Sequence, residues 1–319
     1  MIFKRGFLFY AFFNLRLFGF LLLHRYDLLV SNDLDTLLPN YLVAKLKHIL
    51  LVYDSHEYFT GVPEIQDRPF VRRVWKRIEK FVFPGLKYVM TVSDSIASQY
   101  KSEYGFKPLV VRNCSIKTEQ ILPFSHEELE ICPDHLLLIL QGTGINVDRG
   151  GEELIDAVSL TDKVTLLVIG SGNKFEFLIE KVSQLGLTGK IKFIKKLAWK
   201  ELMRYTRSAD VGLSLDKKSN MNYNFSLPNK VFDYISAGIP VIATDLPEIA
   251  KIIREYNCGI LISEPTPEVI AEAIIKLRDN RDLLSGLKRN SAIASETVNW
   301  ENESKKVVEL YRSVLKSSL

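Results

Sequence analysis

The stretch SLPNKVFDYISAGIPVIATDLPE, residues Ser226–Glu248, decides the fold. Pro228 suits the first turn of a helix, because the backbone N–H that proline lacks has no partner there. The helix is predicted to end before Gly238 and Pro240, since glycine and proline commonly follow a helix C-terminus. Val241–Thr244 then forms a short β-branched run, typical of a buried parallel strand. A helix followed at once by a buried strand predicts one αβ unit of a parallel sheet.

The start of this helix predicts an anion site. Pro228, Asn229 and Lys230 form this end of the helix, where unpaired N–H groups and a partial positive charge favour a diphosphate. Asp233 lies about one turn further along, where its carboxylate can accept hydrogen bonds from ribose hydroxyls. An ordinary αβ unit with an Asp on its surface is the alternative interpretation.

Apolar strand-like runs alternate with amphipathic helical stretches through almost the whole chain, which is typical of parallel α/β architecture. A polar linker with two prolines, Ser115–Pro133, separates two such series. We therefore predict an α/β fold with two Rossmann-like lobes, at residues 1–123 and 124–299, and a closing helix at 300–319 that returns to the first lobe. The ligand cleft is expected between the strand C-termini of the two lobes.

The predicted elements follow from the apolar periodicity. Strands are predicted at Asp27–Ser31, Ile49–Tyr53, Tyr88–Val92, Leu109–Arg112, Leu136–Gln141, Thr165–Ile169, Ile191–Ile194, Val211–Leu215, Val241–Thr244 and Gly259–Ile262. Helices are predicted at Phe70–Val82, Ser95–Tyr104, Gly151–Val158, Lys174–Leu185, Trp199–Ser208, Pro228–Ala237, Pro247–Glu255, Pro267–Asn280 and Trp300–Lys316.

Composition limits the classes of function. A chain of 319 residues that is 47% hydrophobic can fill two cores, and a net charge of +4 is too small to indicate a nucleic-acid partner. Cys114, Cys132 and Cys258 are odd in number and far apart, so we expect a reducing cytoplasm and neither disulfides nor a zinc site. Phe7–Leu23 is apolar but carries Arg16, which predicts a helix packed on a sheet or lying in a membrane interface.

Three glycine-rich loops of the second lobe are candidates for holding phosphate. Gly142 follows the first strand, Arg149 opens the next helix, and Gly170 and Gly172 follow the second strand. Glycine lets backbone N–H groups approach an anion, and the arginine fork can grip a diphosphate. Each loop alone is equally well explained as a tight turn. Their convergence with the Pro228 helix favours a ligand.

Asp54 and His56, in the segment VYDSHEYF, are the candidate catalytic residues of the first lobe. They follow a predicted strand at the sheet edge where ligands of α/β proteins collect, and a histidine beside carboxylates can orient a hydroxyl or accept its proton. A structural histidine and a capping Asp are the alternative. The spacing of Asp33 and Asp35 suggests a metal site, but we expect Asp33 to cap a helix and the protein to need no metal.

The segment 68–87 is strongly basic. It is interpreted as a solvated helix face or as a surface for anionic lipid or a lipid-linked diphosphate acceptor. The candidates for contact with the membrane or acceptor are Arg72, Arg73, Lys76 and Arg77. The single apolar stripe of the segment consists of Phe70, Val74, Ile78, Phe81 and Val82.

As a set, these segments resemble the family-4 retaining glycosyltransferases of the GT-B fold. VYDSHEYF is similar to the family's strand-end His-Glu motif, Arg149-Gly150 to its basic residue plus glycine, and LLVIGSG to a donor-lobe strand. LPNKVFDYISAGIPVIATD is similar to its most specific motif. Asn299-Trp300-Glu301 resembles the start of its closing helix.

The resemblance implies transfer of a hexose-type sugar from a UDP- or GDP-sugar to a glycan or lipid-linked glycan, with retention of configuration. By position, Arg149 would hold the diphosphate, Asp233 the ribose, and the backbone at Lys195–Leu197, including Leu197, the base. His56 would face the sugar or the acceptor. Lys230 matches the motif without an assigned role. We expect a cytoplasmic enzyme of surface polysaccharide synthesis, peripheral on the inner face of the plasma membrane.

The sequence departs from the family pattern at three places. Phe225 stands where many members have the first of two glutamates, and Thr143 where many have an arginine. The usual opening strand and glycine-rich turn do not precede Phe7–Leu23, so the first lobe is expected to be incomplete. Two alternatives follow: a truncated, inactive or binding-only paralogue, and a sugar-nucleotide 2-epimerase-like enzyme with the same two-lobe architecture.

Overall fold

The computed structural model describes residues 6–66 and 68–316 and divides them into two units. The first unit contains the chain up to Arg112, the segment Asn220–Phe225 and the chain from Ser304 onward. The second unit contains Asn113–Ser219 and Ser226–Glu303.

The first unit is built on one parallel sheet with the strand order β1–β2–β3–β4. Its strands are β1 (Leu28–Asn32), β2 (Leu50–Ser55), β3 (Tyr88–Thr91) and β4 (Leu109–Val110). Its helices are α1 (Phe7–Leu23), α2 (Leu34–Lys47), α3 (Pro63–Gln66), α4 (Pro69–Val82) and α5 (Asp94–Tyr104), with single 3-10 turns at Phe59–Gly61 and Phe83–Gly85.

Helix α1 packs on one side only. Leu21 is buried with Leu29 of β1 and Val43 of α2, which is the packed helix expected for this apolar stretch. Leu15 and Phe20 on the same helix are 67% and 54% exposed. In the described part of the chain, no helix is both long and apolar enough to cross a bilayer.

The second unit holds a six-stranded parallel sheet with the order β10–β9–β8–β5–β6–β7. Its strands are β5 (Leu136–Gly142), β6 (Val164–Gly170), β7 (Ile191–Lys195), β8 (Val211–Ser214), β9 (Val241–Thr244) and β10 (Gly259–Ile262). Its helices are α6 (Gly151–Ser159), α7 (Phe175–Gln184), α8 (Trp199–Ser208), α10 (Asn229–Ser236), α11 (Pro247–Tyr256), α12 (Pro267–Asp279) and α13 (Arg281–Thr297). Helix α9 (Met221–Asn224) belongs to the first unit, and α14 (Trp300–Lys316) begins in the second unit and continues in the first.

Helices cover both faces of the second sheet, so its strands carry apolar side chains on both faces. Leu138 and Val168 face one buried cluster, and Leu137 and Leu167 face the other. The strand order reverses between β5 and β8, the neighbours at the centre of the sheet. Such a switch point opens a crevice at the carboxyl ends of the two strands, where doubly wound sheets bind ligands.

The predicted strands agree with the structure to within two residues at each end, which is the usual uncertainty of strand and helix boundaries. Two details differ. Pro228 is the cap residue before α10 rather than part of its first turn. Helix α13 is not predicted from the sequence: Asn280 ends α12, and its side-chain oxygen then accepts the Leu283 N–H, which starts a new helix without a linker.

Helix α14 begins in the second unit, where the Trp300 N–H donates to Ser115 O at 3.0 Å. From Ser304 onward it belongs to the first unit. There Val314 is fully buried against Val52 and Met90 of the first sheet.

Candidate functional site

The glycine turns after β5 and β6 pack against each other. Gly142 and Gly170 are register partners with φ of 149° and 147°, in a region that residues with a Cβ rarely adopt. A Cβ on Gly170 would overlap Gly142 O, and one on Gly172 would overlap Ile145 O. Lys195 is paired with Gly170 at the end of β7, so the three strands end at one level. The contact between the loops is itself enough to require these glycines.

Arg149 is placed by the glycine that follows it. Gly150 has φ of 73°, and a Cβ there would overlap Leu215, immediately after β8. The Arg149 loop therefore lies directly against the end of β8, and its side chain enters the crevice at the switch point. Its guanidinium Nη1 donates to Asp216 Oδ2 at 2.6 Å.

Asp216 joins the two basic residues of the predicted donor site. Its side chain is fully buried, two residues beyond β8, and its Oδ1 lies 3.8 Å from Lys230 Nζ. The side chains of Arg149 and Lys230 are 24% and 12% exposed. Two cations thus share one carboxylate, which leaves a net positive site suited to an anion.

Lys230 carries its charge into this site from the first turn of α10. Burial lowers the pKa of its ammonium; the charge of Asp216 acts against this shift, and the charge of Arg149 adds to it. Pro228 caps the helix and Asn229, which is exposed, is its first residue. The helix N-terminus and both cations therefore lie near one another, as an anion site requires.

Asp233 is more deeply engaged than the sequence suggests. Its carboxylate accepts hydrogen bonds from Ser115 Oγ at 2.5 Å, Gln141 Nε2 at 2.9 Å and Trp199 Nε1 at 3.3 Å. Burial raises the pKa of this carboxyl, and the three hydrogen bonds act against the shift. The surface Asp of the alternative interpretation is wrong, because Asp233 is 8% exposed. Its role as a ribose ligand stays a prediction, since protein donors already occupy both oxygens.

Leu197 lies between β7 and α8 on the side of Asp233. It packs, half-buried, against the cluster that contains Phe232 and Ile235 of α10. Lys195, two residues earlier, is exposed. The segment proposed to line a base is therefore anchored by one apolar side chain at the carboxyl edge of the second sheet.

In the first unit, His56 and Asp54 lie at the carboxyl end of β2. His56 Nε2 is 3.5 Å from Asp54 Oδ2, and the two side chains are 44% and 26% exposed. Burial raises the pKa of Asp54; the charge of His56 acts against this shift, and the charge of Asp33 adds to it. The pair has the chemistry to orient a hydroxyl and accept its proton.

Asp33 supports this pair, and the prediction that it caps a helix is wrong. It precedes α2 but makes no cap hydrogen bond; its Oδ1 instead accepts the His56 backbone N–H at 2.9 Å. Its own N–H donates to Asp54 O at 2.9 Å. Asp33 has φ 57° and ψ 168°, a conformation that is essentially reserved for glycine and costs about 1–3 kcal/mol.

Asp33 and Asp35 do not form a metal clamp with any other ligand among residues 6–66 and 68–316. The one group of potential ligands that lies close enough together there is Cys132, Asp134 and His135, of which the first two are exposed. Metal independence remains a prediction.

The basic helix α4 differs from its prediction at one cation. Arg72, Arg73 and Arg77 are exposed. Lys76, by contrast, contacts Glu79 at 2.6 Å, Glu103, and Tyr58 Oη at 3.1 Å, and Glu79 is fully buried. Lys76 is therefore half-buried and bound to two carboxylates, unlike the three exposed arginines.

The apolar stripe of α4 is also not the predicted one. Trp75 and Val82 are buried, whereas Phe70, Val74 and Phe81 are 68%, 38% and 60% exposed. Exposed aromatic residues between arginines are typical of a surface that meets an apolar, anionic partner.

Two family models match consecutive parts of this chain. The model of the glycosyl transferases group 1 matches residues 140–293, which carry the Arg149–Asp216–Lys230 cluster. The model of glycosyltransferase family 4 matches residues 1–120, which carry Asp33, Asp54 and His56. The chain belongs to the group 1 glycosyltransferases. Both halves of the predicted resemblance are thereby confirmed.

Known proteins agree with this assignment. The chain is 26% identical over 258 residues to a chitobiosyldiphosphodolichol beta-mannosyltransferase of Candida albicans, covering 74% of this chain and 55% of that protein. The chain thus spans about half the length of this curated relative.

Solved structures share the fold. A sucrose-phosphate synthase of Thermosynechococcus elongatus superposes with a TM-score of 0.77 at 17% identity, over 92% of this chain and 74% of that one. The Anabaena protein HepE in complex with UDP-glucose superposes with a TM-score of 0.71 at 18% identity, over 97% and 82%. The two-lobe GT-B fold class is confirmed.

The departures of this group 1 glycosyltransferase have structural counterparts. Phe225 belongs to the first unit, where it packs against the cluster of Tyr53 and Phe83 and its carbonyl accepts from Ser93 Oγ at 3.2 Å. Thr143 is exposed. Ser226 Oγ is buried with no hydrogen-bond partner in the described part of the chain.

Sequence reasoning did not identify Asp216 and gave Asp33 a different role at the candidate site. Asp216 ends the run LSLD after a buried strand, and Asp33 ends the run LLVSND after another. An acidic residue at the carboxyl end of a parallel strand was the available signal. Only the structure shows which basic group or loop each carboxylate holds.

Variants of Asp33 should separate strain from support. Asp33→Gly is expected to relieve about 1 kcal/mol or more of backbone strain. It should also speed hydrogen exchange of the His56 amide, because the carboxylate that accepts this N–H is lost. Asp33→Asn keeps an acceptor oxygen and tolerates positive φ, so His56 should stay protected. Hydrogen exchange of the His56 amide, read with the melting temperature, measures both effects. Equal protection in the two variants would remove Asp33 from this role.

The same variants carry a pH signature. Burial raises the pKa of Asp33 above its ordinary value of 3.8, so ionisation of this carboxyl costs folding free energy at neutral pH. Asp33→Asn should therefore gain stability relative to the native chain at pH 7. The gain should shrink as the pH falls through the raised pKa and vanish below the unfolded value.

Proposed function

We propose that this chain is a retaining glycosyltransferase that moves a hexose-type sugar from a UDP- or GDP-sugar to a glycan or lipid-linked glycan in surface polysaccharide synthesis. The observation that carries the proposal is the placement of Arg149 and Lys230 around buried Asp216, beside the N-terminus of α10. A diphosphate leaving group needs such fixed positive charge. The C. albicans relative, named for mannosyl transfer to a diphosphodolichol, supports the class of reaction.

The proposed chemistry needs no protein nucleophile. The bond between the sugar's anomeric carbon and the diphosphate oxygen breaks, the acceptor oxygen bonds to that carbon, and the acceptor proton leaves. Arg149 and Lys230 would stabilise the charge on the departing diphosphate, while Ser226 and the turns at Gly142, Gly170 and Gly172 would complete the phosphate site. His56, oriented by Asp54, would bind the acceptor hydroxyl or accept its proton.

Retention is the part of the proposal that products must decide. The relative is named for a beta linkage. For this chain, NMR of the anomeric proton in the first product, compared with that of the donor, shows whether the anomeric configuration is retained or inverted. We propose a metal-independent reaction, so EDTA should leave the initial rate unchanged. Two alternatives give different products: an epimerase converts the donor without acceptor, and a binding-only paralogue binds nucleotide without turnover.

Donor binding has a direct test. Uridine or guanosine diphosphate at about 100 times its Kd should stabilise the native chain by about 2.7 kcal/mol, visible as a rise in melting temperature. Asp233→Ala should lose that rise, because ribose would lose its acceptor, and should melt earlier because Ser115, Gln141 and Trp199 lose theirs. Asp245→Ala, which removes an exposed partner of Arg254, is the control. If Asp233→Ala keeps the full rise in melting temperature with nucleotide, Asp233 does not bind the ribose and its carboxylate serves only the protein's own donors.

We further propose that α4 holds the protein on the inner, anionic face of the plasma membrane. Arg72, Arg73 and Arg77 would bind lipid headgroups, and Phe70 and Phe81 would enter the interface. Their exposure on a single helix supports this location.

A further inference from the structure

A large apolar cavity lies within the first unit, between α1, α2 and α4. Its volume is about 1000 Å³, at the upper end of the range for small-molecule sites. Apolar and aromatic side chains form nearly all of the wall, among them Phe9, Phe18, Leu42, Trp75 and Ile78. A space of this size with so largely apolar a wall suits hydrocarbon better than ordered water.

The rim of the cavity is open and apolar. Leu15 of α1 and Phe70 and Val74 of α4 line it and are 67%, 68% and 38% exposed. A contiguous exposed apolar surface on a folded protein marks a binding site more often than a free surface. A ligand inside the cavity would also contact this rim.

The polar side chains of the lining are Tyr10, Asn14, Glu57 and Arg68, and Arg68 is the cation among them that can bind an anionic head. Glu57, which lines the wall, is the neighbour in sequence of His56. Arg68 lines the cavity at the start of α4, and exposed Arg72 and Arg73 follow on its first turns. A helix N-terminus with three arginines attracts phosphate.

We propose that this cavity binds the hydrocarbon chain of a single-chain lipid phosphate or diphosphate, with its anionic head on Arg68 and its neighbours. The inference rests on the proposed function, because it makes such a lipid the acceptor carrier and places its head close in sequence to His56. Arg68 in the lining, followed by exposed Arg72 and Arg73 on the first turns of α4, favours a ligand with an anionic head over an uncharged apolar peptide or a second copy of the chain. Membrane docking through Arg72, Arg73 and Arg77 would supply the lipid but does not by itself fill the cavity.

Farnesyl diphosphate is the probe, with inorganic diphosphate and farnesol as its separate halves. The native chain should bind farnesyl diphosphate at least about tenfold more tightly than inorganic diphosphate, measured by calorimetry without nucleotide. Ala11→Trp adds bulk at an exposed residue that lines the cavity and should weaken binding about tenfold or more. Leu23→Trp on the same helix, 84% exposed and outside the lining, should change the Kd less than about twofold.

Arg68→Ala is the second variant, and it tests the headgroup. It should weaken farnesyl diphosphate binding while leaving farnesol unchanged. Melting temperatures within the error of the native chain establish that each variant folds. Sedimentation with anionic phosphatidylglycerol vesicles should be unchanged by Ala11→Trp and reduced by neutralising Arg72, Arg73 and Arg77 together.

Three results would overturn the proposal: no binding of farnesyl diphosphate, equal loss in Ala11→Trp and Leu23→Trp, or a dimer in light scattering that Ala11→Trp dissociates. Nucleotide binding is scored separately. A chain that binds the lipid as described but neither binds nor uses nucleotide sugars would refute the glycosyl transfer and leave the cavity assignment standing.

Discussion

Asp216→Ala is expected to lower the free energy of unfolding of the second unit by about 3–5 kcal/mol. The substitution leaves Arg149 and Lys230 as two neighbouring cations without a carboxylate between them. The side chain of Lys230 is only 12% exposed, so solvent cannot replace the lost partner. Their mutual repulsion and their desolvation are then uncompensated. Urea denaturation followed by circular dichroism measures the loss, and hydrogen exchange of the β8 amides assigns it to this unit.

Asp245→Ala is the matched control for the carboxylate at Asp216. Asp245 forms an equally short ion pair, 2.6 Å from Arg254, but the two side chains are 37% and 62% exposed. Its removal should cost less than about 1 kcal/mol because solvent screens the pair. Similar losses in the two variants would mean that Asp216 does not hold a buried cation pair.

Arg149→Gln is expected to lower kcat for sugar transfer by about 10²- to 10³-fold. The guanidinium is the strongest donor set at the proposed diphosphate site, and negative charge on the leaving group rises toward the transition state. Because Asp216 loses its 2.6 Å partner, the variant should also be less stable, so activity alone does not prove the role. Arg149→Lys keeps the charge without the fork of donors and should recover stability more than turnover.

A double variant separates catalysis from folding. Arg149→Gln with Asp216→Asn removes the cation and its carboxylate together and should regain part of the lost stability, while kcat stays low. Arg278→Gln, which breaks an ion pair of α12 with Asp162 and Asp279, controls for the loss of an arginine elsewhere in the unit. If the double variant turns over substrate like the native chain, the proposed electrostatic role of Arg149 is refuted.

The order of strands and helices was predictable because periodicity and turn residues are local properties. Helix α8 and strand β9 have the predicted bounds. Helix α13 was missed because one residue, Asn280, ends α12 and caps α13. No linker of turn residues separates the two helices in the sequence. Single residues at sharp junctions carry too little pattern to be recognised by periodicity.

The candidate site was predictable only in part. Arg149, Lys230 and the glycine turns follow from what stands after each strand and before each helix. The partners of the basic residues do not, because Arg149 and Asp216 are 67 residues apart and meet only when β5 and β8 become neighbours. Lys76 shows the same limit: its place in the sequence predicts a free surface cation, but in the structure it is bound to Glu103, 27 residues away.

The sequence by itself determined an α/β chain of two series, with basic groups and bends at the ends of its strands, because those features depend on residues a few positions apart. Only the tertiary structure decided that Arg149 and Lys230 share the carboxylate of Asp216, that protein groups donate to both oxygens of Asp233, and that Asp33 has a strained backbone and accepts the His56 N–H. Burial and long-range contact set the charge and hydrogen bonding of those carboxylates, and neither is encoded in any short stretch of the chain.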